Sequence, residues 1–106
     1  MWTSVFILLV SASATVYLEQ QADEMMLSVE AGQLVSAADI CGFKLDAEAL
    51  KAFMSGKIAD LHDTARFNYY AVTTNFPSEL EAMTETAKLA SCALQETLAK
   101  KHGLVK

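Results

Sequence analysis

The sequence predicts an all-α protein, a small four-helix bundle with one disulfide, preceded by an N-terminal signal or anchor segment. Three observations predict it. Apolar residues recur at helical spacing in four stretches, and no stretch alternates apolar with polar residues as a half-buried strand does. The connections between the four stretches are short, which suits neighbouring, largely antiparallel helices.

The first eighteen residues, Met1 to Leu18, carry no charged side chain and contain the unbroken apolar run Val5 to Val10. Three readings compete. A cleaved signal peptide over residues 1–14 is supported by Ala12-Ser13-Ala14, an A-x-A pattern directly after the apolar core, although no Lys or Arg precedes that core. An uncleaved anchor over residues 1–18 reaches the roughly twenty residues of a membrane span only by counting its Ser and Thr residues. A buried N-terminal helix is opposed by Trp2 and the aliphatic run, which leave no polar face. Under either of the first two readings the remainder, residues 22–106, folds outside the cytosol. Glu19, Asp23 and Glu24, with no basic residue beside them, suit an outward-facing domain.

A chain of 106 residues has room for one domain and one modest core. Hydrophobic residues make up 53%, with a single Pro, so the chain has the composition of a folded protein. The net charge is -5, and Lys100, Lys101 and Lys106 are three of the eight basic residues; the rest of the chain sets five basic against thirteen acidic. Such a surface repels phosphate backbones, and no nucleic-acid partner is expected.

The first helix of the domain is expected from Ala22 to Cys41, with Asp23 and Glu24 at its start and Gly42 beyond its end. Gly32 within it costs about 1 kcal/mol relative to Ala and marks a place for a bend or break. Asp46 is a good N-cap for the second, with Leu45 and Leu50 in the positions of a hydrophobic staple and Ser55-Gly56 as its stop. The third is expected from Ile58 to Asn75. It presents Ile58, Leu61, Ala65, Tyr69, Val72 and Phe76 on one face and ends at Pro77. Ser78-Glu79-Leu80-Glu81 reads as a capping box opening the fourth helix, which runs to His102 with Leu80, Met83, Ala87, Ala90, Leu94 and Leu98 inward.

Cys41 and Cys92 are the only cysteines, and an even count in a small exported domain argues for a disulfide between them. Two separate thiols or an intermolecular bridge are the competing arrangements. The bridge would close a loop of about fifty residues, worth roughly 4 kcal/mol in the chain-entropy model. Against deep burial, Cys92 projects beside Glu81, Glu85, Lys88 and Glu96, away from the inward face.

Asp60-Leu61-His62-Asp63 is the one local crowding of a histidine with carboxylates. Consecutive helical positions diverge by about 100°, so a solvated helix face is expected there rather than a metal or acid–base site. His102 is expected to cap a helix end. The chain has none of the C-x-x-C-H, H-E-x-x-H, G-x-S-x-G or glycine-rich phosphate motifs. No cofactor, metal or catalytic residue is therefore assigned. Met25, Met26, Met54 and Met83 are read as core filling.

Phe67 and Tyr70 project from the third helix among Asp60, Asp63, Arg66 and Thr74 and form the candidate contact surface, unless the N-terminal segment or a loop covers them. The expected function is that of a periplasmic or secreted, non-enzymatic protein acting by contact with another protein, as accessory subunit, chaperone or inhibitor. A membrane would be touched only through an uncleaved N-terminal segment. The alternative is a binder of a small apolar ligand, haem or soft metal in a pocket lined by Met25, Met26, Phe53 and Met83.

Overall fold

The computed structural model describes the backbone of residues 2–105 and the side chains of residues 17–105. Among these the chain is helical, with no strand: α1 (Trp2–Cys41), α2 (Ala47–Phe53), a π-helical turn (Met54–Ile58), α3 (Asp63–Glu81) and α4 (Glu85–Lys101). Met1 and the side chains of the leader segment lie outside the described residues, and with them the cleaved-signal (1–14) and anchor (1–18) readings. The helix expected to start at Ala22 instead continues, without a break, from the backbone that precedes it. Among the described residues, no helix is long and apolar enough to cross a membrane.

α1 is the element the others lean on. α3 runs beside it in the same direction, since Glu24 meets His62, Ser28 meets Asn68 and Gly32 meets Val72. α4 runs the opposite way, joining Cys92 to Cys41, Gln95 to Gln33 and His102 to Glu30. The principal helix pair is therefore parallel rather than antiparallel. α2 and the π-helical turn carry the chain back along α1, and they are too short to cover it, so α3 packs there directly. α3 and α4 touch each other little.

Gly32 makes the parallel pair possible. A Cβ there would lie 2.7 Å from both Cβ and Cγ1 of Val72 and 3.1 Å from the Tyr69 carbonyl oxygen. The helix does not break at this glycine, whose missing side chain is used for close helix approach, with Ser28 and Ala31 fully buried nearby. The main core gathers Leu34 of α1, Phe53, Ile58 and Leu61 of the return segment, Tyr69 of α3 and Leu104 of the tail. A smaller cluster of Ala37, Phe76 and Leu80 sits at the disulfide end.

Asp46 caps α2 as expected, its Oδ2 accepting from the Ala49 amide at 3.0 Å. Ser55-Gly56 does not end the helix. The chain widens into a π-helical turn, with the Ala59 amide bonded to the Met54 carbonyl at 3.0 Å. A repeat of i→i+5 bonds brings residues five apart toward one face, so Phe53 and Ile58 both enter the core.

The third helix starts five residues later than expected, after an extended His62, and passes through Pro77 to Glu81. The inward stripe is nonetheless the expected one, with Ile58, Leu61, Ala65, Tyr69 and Phe76 buried. Pro77 removes one helical hydrogen bond. The helix survives it because Phe76 and Leu80, on either side, are both seated against Ala37. The sequence Ser78 to Glu81 is consequently the last turn of α3 and not a capping box. Thr84 caps α4 instead, its Oγ1 accepting from the Ala87 amide at 3.2 Å.

α4 is rotated relative to the expectation. Cys92, Gln95 and Ala99 face α1, whereas Ala87, Ala90 and Leu94 are exposed. The covalent bond to Cys41 fixes this orientation by drawing the flank that carries Cys92 inward. Glycines close α1 and α4 as expected, Gly42 at φ 77° and Gly103 at φ 72°. Beyond α4, the Leu104 amide returns to the Ala99 carbonyl at 2.8 Å, and the Leu104 carbonyl accepts from the Asp46 amide at 2.7 Å. The C-terminal tail thus fastens the start of α2.

Candidate functional site

Four side-chain groups were candidates for chemistry or contact: the aromatics of α3, the cysteines, the histidines and the methionines. The structure separates the aromatics by face. Tyr69 and Phe76 are buried, while Phe67 is 75% and Tyr70 57% exposed. Tyr70 rests edge-on against Tyr69, ring centroids 5.4 Å apart at 68°, and Tyr69 directs its hydroxyl to Met54 Sδ at 3.5 Å. Burial, with a smaller contribution from Tyr70, pushes the Tyr69 phenol above its ordinary value. Tyr70 therefore stands on a fixed support. Arg66, one residue before Phe67, is itself held by Asp63 and by the Ala59 carbonyl at 3.1 Å.

Cys41 and Cys92 form the disulfide, with Sγ atoms 2.08 Å and Cα atoms 5.3 Å apart. Both cysteines pack on the smaller core cluster beside Ile40, Val72 and Met83. They also line a surface depression of about 370 Å³ with Glu85, Lys88 and Leu89. The first two turns of α4 rest lightly on the molecule: from Thr84 to Ala90 every side chain but that of Lys88 is exposed. The cross-link, joining positions 51 residues apart, is the principal tie of that half of α4 to α1.

His62 does not pair with Asp60 or Asp63, its neighbours in sequence. Its Nδ1 lies 2.8 Å from Glu24 Oε2, and its amide donates to Glu24 Oε1 at 3.0 Å. A carboxylate only accepts, so Nδ1 carries the proton. These bonds hold the Glu24 carboxyl below the usual carboxylate value. Glu24 thus closes the N-terminal end of α3 from outside it. His102, at the C-cap of α4 as expected, reaches Glu30 with Nε2 to Oε2 at 3.1 Å and lies against Phe53, ring centroids 5.6 Å apart. Both histidines thus bind glutamates of α1. Neither pairing is signalled by sequence spacing, because the partners lie 38 and 72 positions apart. Among the described residues, no three His, Cys, Asp or Glu side chains form a group able to hold a metal ion.

The methionine pocket does not assemble. Met25 packs against the main core with Phe53, Met83 belongs to the cluster at the disulfide end, and Met26 is 63% exposed. Two buried polar side chains, Ser28 and Gln95, were not foreseen. Ser28 donates to the Met25 carbonyl at 2.6 Å and accepts from Asn68 at 2.8 Å, which stitches α1 to α3. Gln95 donates to Gln33 Oε1 at 3.1 Å. Ser28 leaves only the trace of a small polar residue among apolar neighbours, and Gln95, on the charged flank of α4, leaves none.

The chain is thus an all-α, disulfide-linked helical protein. The cross-link fits an oxidising compartment. Compared with protein-family models, with curated proteins and with solved structures, the chain matches none.

Proposed function

We propose that this protein works in the periplasm or outside the cell as a non-enzymatic helical module that acts by protein contact, as an accessory subunit, chaperone or inhibitor. The observation that carries the reading is the outer face of α3, where Phe67 and Tyr70 are largely exposed while the same helix buries Tyr69 and Phe76 beneath them. Large aromatics on a supported surface are enriched where proteins bind one another, because they bury much area with few rotatable bonds. The disulfide supports the compartment, and the A-x-A pattern after the apolar run supports export through a cleaved leader.

The test is the double substitution Phe67→Ser with Tyr70→Ser, compared with the unaltered protein for polypeptides retained after mild extraction and cross-linking. Loss of the retained partner at an unchanged thermal midpoint is expected, since both side chains lie outside the core. Retention by the double variant, or a collapsed midpoint, would overturn the reading.

A further inference from the structure

The Cys41–Cys92 bond joins a well-held helix to a weakly held half of another. Both cysteines are half-buried and line the open depression beside Ile40, Lys88 and Leu89, so a thiol can approach the sulfurs without unfolding the chain. Ahead of Cys92, little else ties α4 down. From Thr84 to Ala90 only Lys88 is not exposed, and its ammonium pairs with Glu81 of α3 at 3.4 Å, not with α1. The second half of α4 is anchored independently of the bond. Gln95 donates to Gln33 at 3.1 Å, Ala99 belongs to the main core, and His102 meets Glu30 at 3.1 Å.

We propose that the disulfide is a reversible redox latch: a dithiol reductant opens it in the folded protein, and residues 84–92 then lift from α1 while the rest keeps its structure. A thiolate of the reductant attacks Cys41 Sγ, the bond to Cys92 breaks, and Cys92 leaves as a thiolate that takes a proton from water. The second thiolate of the reductant then attacks the mixed disulfide and releases Cys41. The chain gains two electrons and two protons, and the dithiol becomes a disulfide. Cys92 is the better leaving group because Cys41 is the last residue of α1, where the negative end of the helix disfavours a thiolate. Once the bond is open, little packing returns the two sulfurs to each other, so their effective concentration is low and the open form persists. Lifting the half-helix takes Cys92 out of the smaller core cluster and uncovers Ile40, Val72 and Met83, which pack there beside it.

Reduction of the oxidised full chain by dithiothreitol, under native conditions and in urea, tests this. The native rate should rise in proportion to dithiothreitol and stay within about a hundredfold of the rate in urea, whereas a bond reached only by global unfolding would react roughly a thousandfold or more slowly. Amide exchange of the reduced chain should show protection lost at residues 85–92 and kept in α1, α3 and residues 95–101, and re-oxidation should restore the starting pattern. Cys41→Ser with Cys92→Ser should show the reduced pattern with or without reductant. After brief exposure to glutathione, peptide mass analysis should find the mixed disulfide first on Cys41. Reduction only through global unfolding, a reduced chain unfolded throughout, unchanged protection at residues 85–92, or glutathione first on Cys92 would each overturn the proposal.

Discussion

Val72 of α3 lies directly over Gly32 of α1, so close that a Cβ on Gly32 would come within 2.7 Å of the valine Cβ. Replacement by Ala would gain about 1 kcal/mol of helix propensity. It would also force apart two helices whose contact includes the Tyr69 backbone 3.1 Å away. Overpacking of this kind costs typically 1–3 kcal/mol. Backbone cannot move as a flexible side chain does, so the clash prevails. Gly32→Ala is expected to lower stability by up to about 2 kcal/mol, and Gly32→Leu by more, in urea unfolding followed by helical circular dichroism. A stabilised Gly32→Ala variant would show that α1 and α3 do not meet here.

Reduction of the disulfide should remove roughly 4 kcal/mol in the chain-entropy model for a loop of this length, bringing a small core close to its stability limit. The loss should be uneven. The first half of α4 is largely exposed and tied chiefly through Cys92, so amide exchange should rise there first on adding reductant, before it rises in α3. Uniform loss of protection along the whole chain would contradict this.

The bonds from the His62 side chain and amide hold the Glu24 carboxyl below its ordinary value of 4.5. A carboxyl whose folded value is depressed stabilises the protein above its unfolded value, and that contribution is lost as pH falls through the depressed one. Stability should therefore decline below about pH 4.5. Glu24→Gln should flatten that decline in thermal unfolding measured from pH 6 down to pH 2. An unaltered acid slope would remove Glu24 from the account.

Two threonine and serine substitutions decide where α4 begins. Thr84→Ala should cost about 1 kcal/mol, the usual loss for an N-cap, because Thr84 Oγ1 holds the Ala87 amide. Ser78→Ala should cost only a few tenths of that, since Ser78 lies inside α3. The reverse order in thermal midpoint would restore the break at Pro77.

The failures of the sequence reading share a cause with its successes. Asp46, Gly42 and Gly103 act on amides and carbonyls within a few residues of themselves, and each does in the structure what its residue type implies. Pro77 is also a local signal, but a lost hydrogen bond and a ring clash there compete with the burial of Phe76 and Leu80 against Ala37, a residue some forty positions away. The tertiary contact prevails, and the capping box beyond the proline goes unused. Asp60 and Asp63 stand beside His62 in sequence, whereas its partner Glu24 comes from another helix.

By itself, the sequence determined the all-helical class and the inward stripe from Ile58 to Phe76; it placed Phe67 and Tyr70 on the outer side of their helix and argued for a Cys41–Cys92 bond, but left their cover and the competing thiol arrangements for the structure to decide. These follow from periodicity, backbone freedom and residue count, properties a single segment carries alone. Only the tertiary structure decided which side of α4 faces α1, that α3 runs parallel to α1 over Gly32, and which glutamates the histidines hold. The physical reason is that a helix with apolar residues on more than one side has no preferred rotation until a neighbour or a covalent bond selects one. Here a bond between positions 51 residues apart selects it for α4, and a missing side chain on α1 selects where α3 packs.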